Sequence, residues 1–262
     1  MLTRCSRNFV LVNKGEKMKK TVLVTGATGG IGKAICESFA KEGYDIALHY
    51  NSNETAAKEL AEELQISYGI KALPIKADLR IYAEVKALAE KALQLLSSIS
   101  VLVNNAGVAY QSVFQLADNE KVKELFEINL MSAMNLTKHI LPCMISEKKG
   151  RIINVSSMWG VMGASCEVHY SASKSALIGF TKALAKEVGP SGITVNCVAP
   201  GFIDTKMNEC IDDSAVNEIV EATPMGRKGK GEDVANLVQF LAGENASFIT
   251  GQVISVDGGF AG

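Results

Sequence analysis

Strand-sized apolar segments alternate with helix-sized amphipathic ones along almost the whole chain, and this alternation constrains the fold more than any other feature. From Lys20 onward, seven short segments are apolar or β-branched: 21–25, 46–50, 71–76, 101–104, 151–156, 193–199 and 252–256. Between them apolar residues recur three and four positions apart, as in Ala56, Leu60 and Leu64. Strands that alternate with helices form βαβ units, whose strands pair in parallel. We therefore predict an α/β fold: a doubly wound, seven-stranded parallel sheet with helices on both faces.

The same pattern predicts a single domain. No linker rich in Pro, Gly or Ser interrupts it, and the chain contains only 5 prolines. We expect residues 18–262 to form this domain and residues 1–17 to be an appendage outside it. Met18 directly precedes the first strand and is a candidate for the natural first residue.

Composition argues against several classes of function. The 27 Lys+Arg nearly balance the 28 Asp+Glu, and no run of five like charges occurs, so a nucleic-acid-binding surface is not expected. No apolar stretch approaches the ~18 to 20 residues of a membrane span. The 6 cysteines form neither a Cys-x-x-Cys pair nor a Cys/His cluster. We therefore expect no metal site, no membrane contact and a reducing, cytoplasmic setting.

A glycine-rich segment joins the first predicted strand to the helix after it. It comprises Gly26, Thr28, Gly29, Gly30, Ile31 and Gly32. Glycines at such a junction permit a tight turn and let a pyrophosphate approach the N–H groups of the helix start. Glycines also end strands for purely steric reasons, so the segment alone leaves both interpretations open. The strand before it and the apolar helical stripe after it favour dinucleotide binding.

Three residues further along the chain suggest carbonyl chemistry. Ser157 follows the strand predicted at 151–156, and Tyr170 and Lys174 come 13 and 17 residues later. If residues 168–184 form a helix, Tyr170 and Lys174 share one face of it. An ammonium about 4 Å from a phenol would lower the phenol pKa by up to ~3 units, making it a usable acid near neutral pH. Tyr-x-x-x-Lys alone is common on helix surfaces and Ser157 alone fits a turn, so only the combination indicates catalysis.

Taken in order over residues 19–262, these motifs resemble the short-chain dehydrogenase/reductase family, which has a single-domain Rossmann fold. Further matches follow the third, fourth and sixth strands: Asp78, Leu79, Asn105, Ala106, Gly107, Pro200, Gly201, Ile203 and Thr205. The resemblance implies that these residues bind a nicotinamide cofactor together with the glycine segment. Taken singly, an asparagine after a strand also fits a capping role.

The resemblance also implies catalytic roles for four residues. Tyr170 would be the general acid/base, Ser157 would orient the carbonyl, and Lys174 would also hold the nicotinamide ribose. Asn129 would anchor a water in a proton relay, although a helix irregularity is the structural alternative for it. His49, His139 and His169 lie outside these motifs, and we expect none of the three to be catalytic.

The end of the second strand bears on cofactor choice. NAD enzymes usually carry a carboxylate there that binds the ribose 2′-hydroxyl. Here that position reads Tyr50-Asn51-Ser52, which adds these residues to the expected cofactor site, while Asp45 begins the strand. We expect NADPH, with NADH less favoured.

Two substrates fit the resemblance. Overall the chain is most similar to reductases of 3-oxoacyl-[acyl-carrier-protein], with Lys148, Lys149 and Arg151 available to an acidic carrier protein. The region around Ser157 and Glu167 instead resembles elongation factor P 5-aminopentanone reductases, which reduce a ketone on a modified lysine. Glu167 could meet a substrate ammonium, or could simply favour a helix N-terminus through the helix dipole.

Two further expectations concern class and assembly. The fold also serves non-catalytic, nucleotide-sensing modules, but the presence of both Tyr170 and Lys174 favours an enzyme. Related reductases are commonly homotetramers. The resemblance therefore implies one interface around helices 119–146 and 170–188 and another around the last strand.

Overall fold

A computed structural model of the chain describes residues 20–208 and 212–261. The predicted appendage at 1–17 and the candidate start at Met18 lie outside the described residues.

The centre of the molecule is the predicted seven-stranded sheet, and every neighbouring pair of strands is parallel. In chain order the strands are β1 (Thr21–Val24), β2 (Asp45–Tyr50), β3 (Ala72–Lys76), β4 (Val101–Asn104), β5 (Gly150–Val155), β6 (Ile193–Pro200) and β7 (Val253–Val256). Their order across the sheet is β3-β2-β1-β4-β5-β6-β7. Each predicted strand boundary agrees within one residue, and the predicted Rossmann-type fold is confirmed.

Helices connect the strands and cover both faces of the sheet. They are α1 (Gly30–Lys41), α2 (Glu54–Tyr68), α3 (Tyr82–Leu96), α4 (Asn119–Phe126), α5 (Ser132–Glu147), α6 (Met158–Met162), α7 (Val168–Val188), α8 (Asp213–Ala222) and α9 (Gly231–Ala242). A π-helical segment, Glu127–Met131, joins α4 to α5. Among the described residues, no helix has the length and apolar character needed to cross a membrane.

The five inner strands are buried on both faces because their side chains alternate between two cores, whereas the edge strands β3 and β7 are only partly buried. Val22 and Val24 pack with residues of α1, α2 and α9, whereas Leu23 between them packs with residues of α3, α5 and α7. This explains why β1 is a continuous apolar run.

The strand order determines where a ligand can bind. β1 lies between β2 and β4, so the connections that leave β1 and β4 diverge to opposite faces of the sheet. In doubly wound sheets this divergence opens a crevice at the carboxyl ends of the strands. The glycine-rich segment follows β1 at this edge.

Candidate active site

A cavity of about 1080 Å³ opens at the carboxyl edge of the sheet. All of the residues predicted to bind the cofactor line it: Gly26, Thr28, Gly29, Gly30, Ile31, Gly32, Tyr50, Asn51, Ser52, Asp78, Leu79, Asn105, Ala106, Gly107, Tyr170, Lys174, Pro200, Gly201, Ile203 and Thr205. Ser157 lines it as well. Asn129 is not part of the wall.

The glycine turn leaves the start of α1 open toward the cavity. Gly29 is the N-cap of α1 and has no side chain to cap the helix. The Lys33 N–H donates to the Gly29 carbonyl (2.8 Å), which is the first hydrogen bond of the helix. A Cβ on Gly32 would collide with the Gly26 carbonyl oxygen, and one on Gly30 would lie 2.8 Å from Thr205. The N–H groups at a helix start attract anions, so the turn suits a pyrophosphate.

Thr25 and Asn105 hold the glycine turn against the segment that follows β4. The Thr25 hydroxyl accepts hydrogen bonds from the backbone N–H groups of Asn105 and Ala106, both at 3.0 Å. The Asn105 amide donates in turn to the carbonyl of Thr25 (2.9 Å) and that of Gly26 (3.3 Å). Thr25 begins the sequence motif of the cofactor turn, and the structure gives it this supporting role behind the glycines.

The end of β2 offers polar but uncharged groups to the cavity. Tyr50, Asn51 and Ser52 line it, whereas Asp45 begins β2 at the opposite edge and accepts a hydrogen bond from the Lys71 N–H (2.6 Å). Asp78 supplies a carboxylate beyond β3. Its ion pair with Arg80 holds the pKa of that carboxyl below its usual value.

The three residues predicted to act on a carbonyl lie together. Ser157 follows β5 and caps α6, accepting a hydrogen bond from the Trp159 N–H (3.2 Å). Tyr170 and Lys174 project from α7, with the Lys174 Nζ 5.8 Å from the centre of the Tyr170 ring. A Cβ on Gly107 would lie 3.0 Å from the same Nζ. Glycine at that position leaves room for the lysine.

The pKa values of Tyr170 and Lys174 differ from the sequence-based expectation. Burial raises the pKa of Tyr170 to about 12, opposed by a hydrogen bond with the Ser157 hydroxyl. Burial lowers the pKa of Lys174 to about 8. The predicted lowering of the phenol pKa is not found because burial of the phenol dominates, while the Lys174 ammonium donates to the Val155 carbonyl (3.0 Å) and lies 5.8 Å from the ring centre. Tyr170 is therefore protonated at neutral pH and available as a proton donor.

Asn129 lies behind the cavity in the π-helical segment Glu127–Met131, and it is 1% exposed. Its amide oxygen accepts from the Val108 N–H (2.8 Å), and its amide nitrogen donates to the Val108 carbonyl (2.9 Å) and the Ser173 hydroxyl (3.1 Å). In this arrangement Asn129 anchors the segment that follows β4, one layer behind the cavity wall, and its role in a proton relay stays a prediction. The helix departs from α-helical geometry at the turn that carries this inward-facing asparagine.

The rest of the cavity wall is mostly apolar, and the sequence did not predict most of its residues. It includes Gln111, Met158, Trp159, Met162, Phe202, Met207, Ala215, Ile219 and Phe260. Trp159 and Phe260 meet edge to face, with ring centres 5.6 Å apart. Because these residues come from five separate segments, no local sequence pattern marks them as one surface.

Lys148, Lys149 and Arg151 do not lie beside the cavity, contrary to the expected docking role. They stand where β5 begins, so they lie at the amino edge of the sheet, about 17 Å of strand away from the site. Lys149 pairs with Glu244 (2.5 Å), and Arg151 is 5% exposed. Lys206, which is exposed and lines the cavity, is a basic residue on the correct side.

The described residues contain no cluster of His, Cys, Asp and Glu arranged to hold a metal ion. His169 faces away from this chemistry and stacks on Phe114, with ring centres 5.2 Å apart. His139 contacts Tyr82.

Comparisons with known proteins agree with this geometry. Residues 20–215 match the family described as short chain dehydrogenase. The chain is 44% identical over 243 residues to an uncharacterized oxidoreductase, YmfI, of Bacillus subtilis, covering 93% of this chain and 99% of that protein. It is 41% identical over 240 residues to the 3-oxoacyl-[acyl-carrier-protein] reductase FabG of Aquifex aeolicus, covering 92% and 96%.

A solved structure has the same fold over nearly its whole length. It is a blue fluorescent protein from a metagenomic library in complex with NADPH, 36% identical, with a TM-score of 0.88 and coverage of 93% of this chain and 98% of that one. The family match, the full-length relatives and this structural likeness lead to one conclusion: the chain is a member of the short-chain dehydrogenase family of oxidoreductases.

Proposed function

We propose that the protein is an NADPH-dependent carbonyl reductase that acts on 3-oxoacyl groups carried by acyl carrier protein. The observation that carries this proposal is the meeting of Ser157, Tyr170 and Lys174 in one cavity with an uncapped helix start. A nucleotide-sensing module would have no need of a buried phenol beside a buried amine. The named reductase of Aquifex aeolicus supports the substrate class.

The residues present fit the cofactor. The N–H groups of the glycine turn would bind the pyrophosphate, and the neutral end of β2 carries no carboxylate to repel a 2′-phosphate. Asp78 is the nearby acid, and its charge is engaged by Arg80. The NADPH complex of the structural neighbour supports this choice. When bound, NADPH supplies a hydride.

The chain's own groups would handle the carbonyl oxygen. The Ser157 hydroxyl donates a hydrogen bond that orients the carbonyl, and Tyr170 gives its proton to that oxygen as negative charge develops. Because the pKa of Tyr170 is about 12, the phenol holds its proton until the carbonyl oxygen becomes strongly basic. The buried Lys174 ammonium, 5.8 Å from the centre of the Tyr170 ring, offers the phenolate left behind an attraction that does not outweigh the burial of the phenol.

The test measures NADPH oxidation with acetoacetyl-[acyl-carrier-protein] for the wild type and Tyr170→Phe. This change removes only the hydroxyl, and we expect kcat to fall about 10²- to 10⁴-fold while the Kd for NADPH is unchanged. Tyr68→Phe, on an exposed part of α2, is the matched control. Turnover by Tyr170→Phe close to that of the wild type would refute the assignment, and NADPH binding without turnover of any ketone would favour the sensing module.

A second candidate, reduction of the 5-aminopentanone group on elongation factor P, is favoured by Glu167. This carboxylate lines the cavity three residues before Tyr170. Burial raises its pKa, and its hydrogen-bond partner is the uncharged Gln111 amide (3.5 Å). It accepts no capping hydrogen bond from α7, which weakens the purely structural interpretation. A desolvated carboxylate suits a substrate that carries an ammonium.

Glu167→Gln separates the two candidates because it removes the charge and keeps the shape. We expect kcat/KM for a small amino ketone to fall about tenfold or more and that for acetoacetyl-[acyl-carrier-protein] to change less than about threefold. Equal effects on both substrates would argue against an ammonium site. In the source organism, gene deletion followed by mass spectrometry of elongation factor P distinguishes the roles: an unreduced ketone supports the second candidate, and a normal adduct supports the first.

A further inference from the structure

His49, the next-to-last residue of β2, joins two parts of the cofactor cavity through its side chain. It is 2% exposed. Its Nδ1 accepts a hydrogen bond from the Gly26 N–H (3.1 Å), and its Nε2 lies 3.0 Å from the carbonyl oxygen of Ala77. Its backbone carbonyl accepts from the Ala27 N–H (3.0 Å). One residue therefore holds two consecutive N–H groups of the glycine turn.

These contacts require one protonation state. Gly26 presents a donor, so Nδ1 must carry a lone pair, and Nε2 must then hold the ring proton and donate it to Ala77. An imidazolium would present a second donor to the Gly26 N–H. Burial also favours the neutral ring, lowering the pKa of His49 below its ordinary value.

The two segments joined by the ring both line the cavity. Gly26 opens the glycine turn, and Ala77 directly precedes Asp78 and Leu79. Gly26 has a φ of +64°, a conformation that L side chains rarely adopt, and its N–H and its carbonyl are both hydrogen-bonded, to His49 and to Asn105.

We propose that His49 is a positioning residue, whose neutral imidazole fixes the glycine turn relative to the segment after β3 and thereby prepares the chain to bind NADPH. The inference rests on the proposed cofactor but not on the proposed substrate. His49 acts through the backbone of Gly26 and Ala77.

Acid pH should reveal this role. Asp78, at the end of β3, is the charged group that favours the imidazolium, and Asp78 is itself paired with Arg80. Because burial lowers the pKa of His49, protonation of the ring, which would break the Gly26 hydrogen bond, begins at a more acidic pH than for an ordinary histidine. Binding of the cofactor should weaken in that range.

The experiment compares three variants of the full chain by NADPH fluorescence titration at pH 7.5. His49→Leu leaves the Gly26 N–H and the Ala77 carbonyl without their partner, and we expect Kd to rise about tenfold or more with kcat at saturating NADPH changed less than about threefold. His49→Asn returns an acceptor oxygen near the position of Nδ1, and we expect Kd within about threefold of the wild type. His139→Leu is the control, since it removes a histidine outside the cavity.

Three results would overturn the proposal. They are unchanged NADPH affinity in folded His49→Leu, equal weakening in His49→Asn and His49→Leu, and NADP⁺ affinities of wild type and His49→Asn that fall in parallel from pH 7.5 down to the lowest pH at which both proteins remain folded. The last comparison stands even where His49→Leu fails to fold. Because the Kd values are measured without a ketone, failure of the substrate proposal leaves these three comparisons unaffected.

Discussion

Replacing Lys174 by methionine should weaken catalysis and at the same time relieve an energetic penalty in the folded protein. The side chain is 3% exposed, and its Nζ donates to the Val155 carbonyl (3.0 Å). Methionine fills a similar volume without a charge. The change therefore tests whether this residue is present for chemistry or for stability.

The magnitude follows from the acidity of the ammonium. Burial lowers the pKa of Lys174 from 10.5 to about 8. At 1.36 kcal/mol per pH unit, the charged form costs the folded state about 3 kcal/mol. Loss of the hydrogen bond to Val155 returns about 1 to 2 kcal/mol of that gain. We expect Lys174→Met to be about 1 to 2 kcal/mol more stable than the wild type at pH 7.

The pH dependence of the free energy of unfolding tests independently whether burial of Lys174 destabilises the wild type. Between pH 8 and 10.5 the unfolded lysine binds a proton that the folded one has lost, so the wild type gains stability as pH rises. Because the folded lysine is already half deprotonated at pH 8, we expect the wild type to gain about 1 kcal/mol relative to Lys174→Met between pH 8 and 9.

Urea unfolding of both proteins at pH 7, 8 and 9 measures these differences, and NADPH-dependent turnover measures the catalytic loss. Lys182→Met, on the exposed face of the same helix, is the matched control and should show neither effect. A Lys174→Met protein that is less stable than the wild type at pH 7, or whose difference from it does not change with pH, would refute the reasoning.

Three other predictions follow from the described geometry. Asn51→Asp puts a carboxylate at the end of β2, and we expect the ratio of kcat/KM for NADPH to that for NADH to fall at least about tenfold; an unchanged ratio would exclude this position from 2′-phosphate recognition. Gly179→Ala lies in α7 with no atom within 4 Å of the added methyl group, so the free energy of unfolding should rise by about 0.5 to 1 kcal/mol in urea titrations, and destabilisation would contradict the helix-propensity argument. Sedimentation should detect a tetramer, with Phe248 (103% exposed) near one interface; a stable monomer at micromolar concentration would count against it.

The fold could be predicted from the sequence because its strands are buried on both faces. Runs such as Val101–Asn104 need partners on two sides, and only helices on both faces provide them. The cofactor side of the cavity could also be predicted, because its residues directly follow strands whose positions the sequence indicates. Strand direction also contained the information that Arg151 begins β5 and so lies far from the site.

Other properties depend on packing between distant segments. The acidity of Tyr170 is set by how completely α7 buries it, and the ammonium of Lys174 turns to a carbonyl rather than to the phenol. Asn129 lies in a π-helical segment, the kind of helix irregularity that the sequence left open without showing which way the side chain would point. Phe260 reaches the cavity from the end of the chain, a contact that no local pattern indicates.

The two sides of the cavity are built in different ways, and this affects how such an enzyme can be altered. The cofactor side consists of strand ends and a turn locked by Thr25, Asn105 and His49, so most substitutions there would disturb the backbone. The opposite side consists of side chains from connecting segments, among them Met162, Met207 and Ile219. Substitutions at these positions can therefore alter substrate range in directed evolution, while the backbone that would bind the cofactor on the other side stays the same.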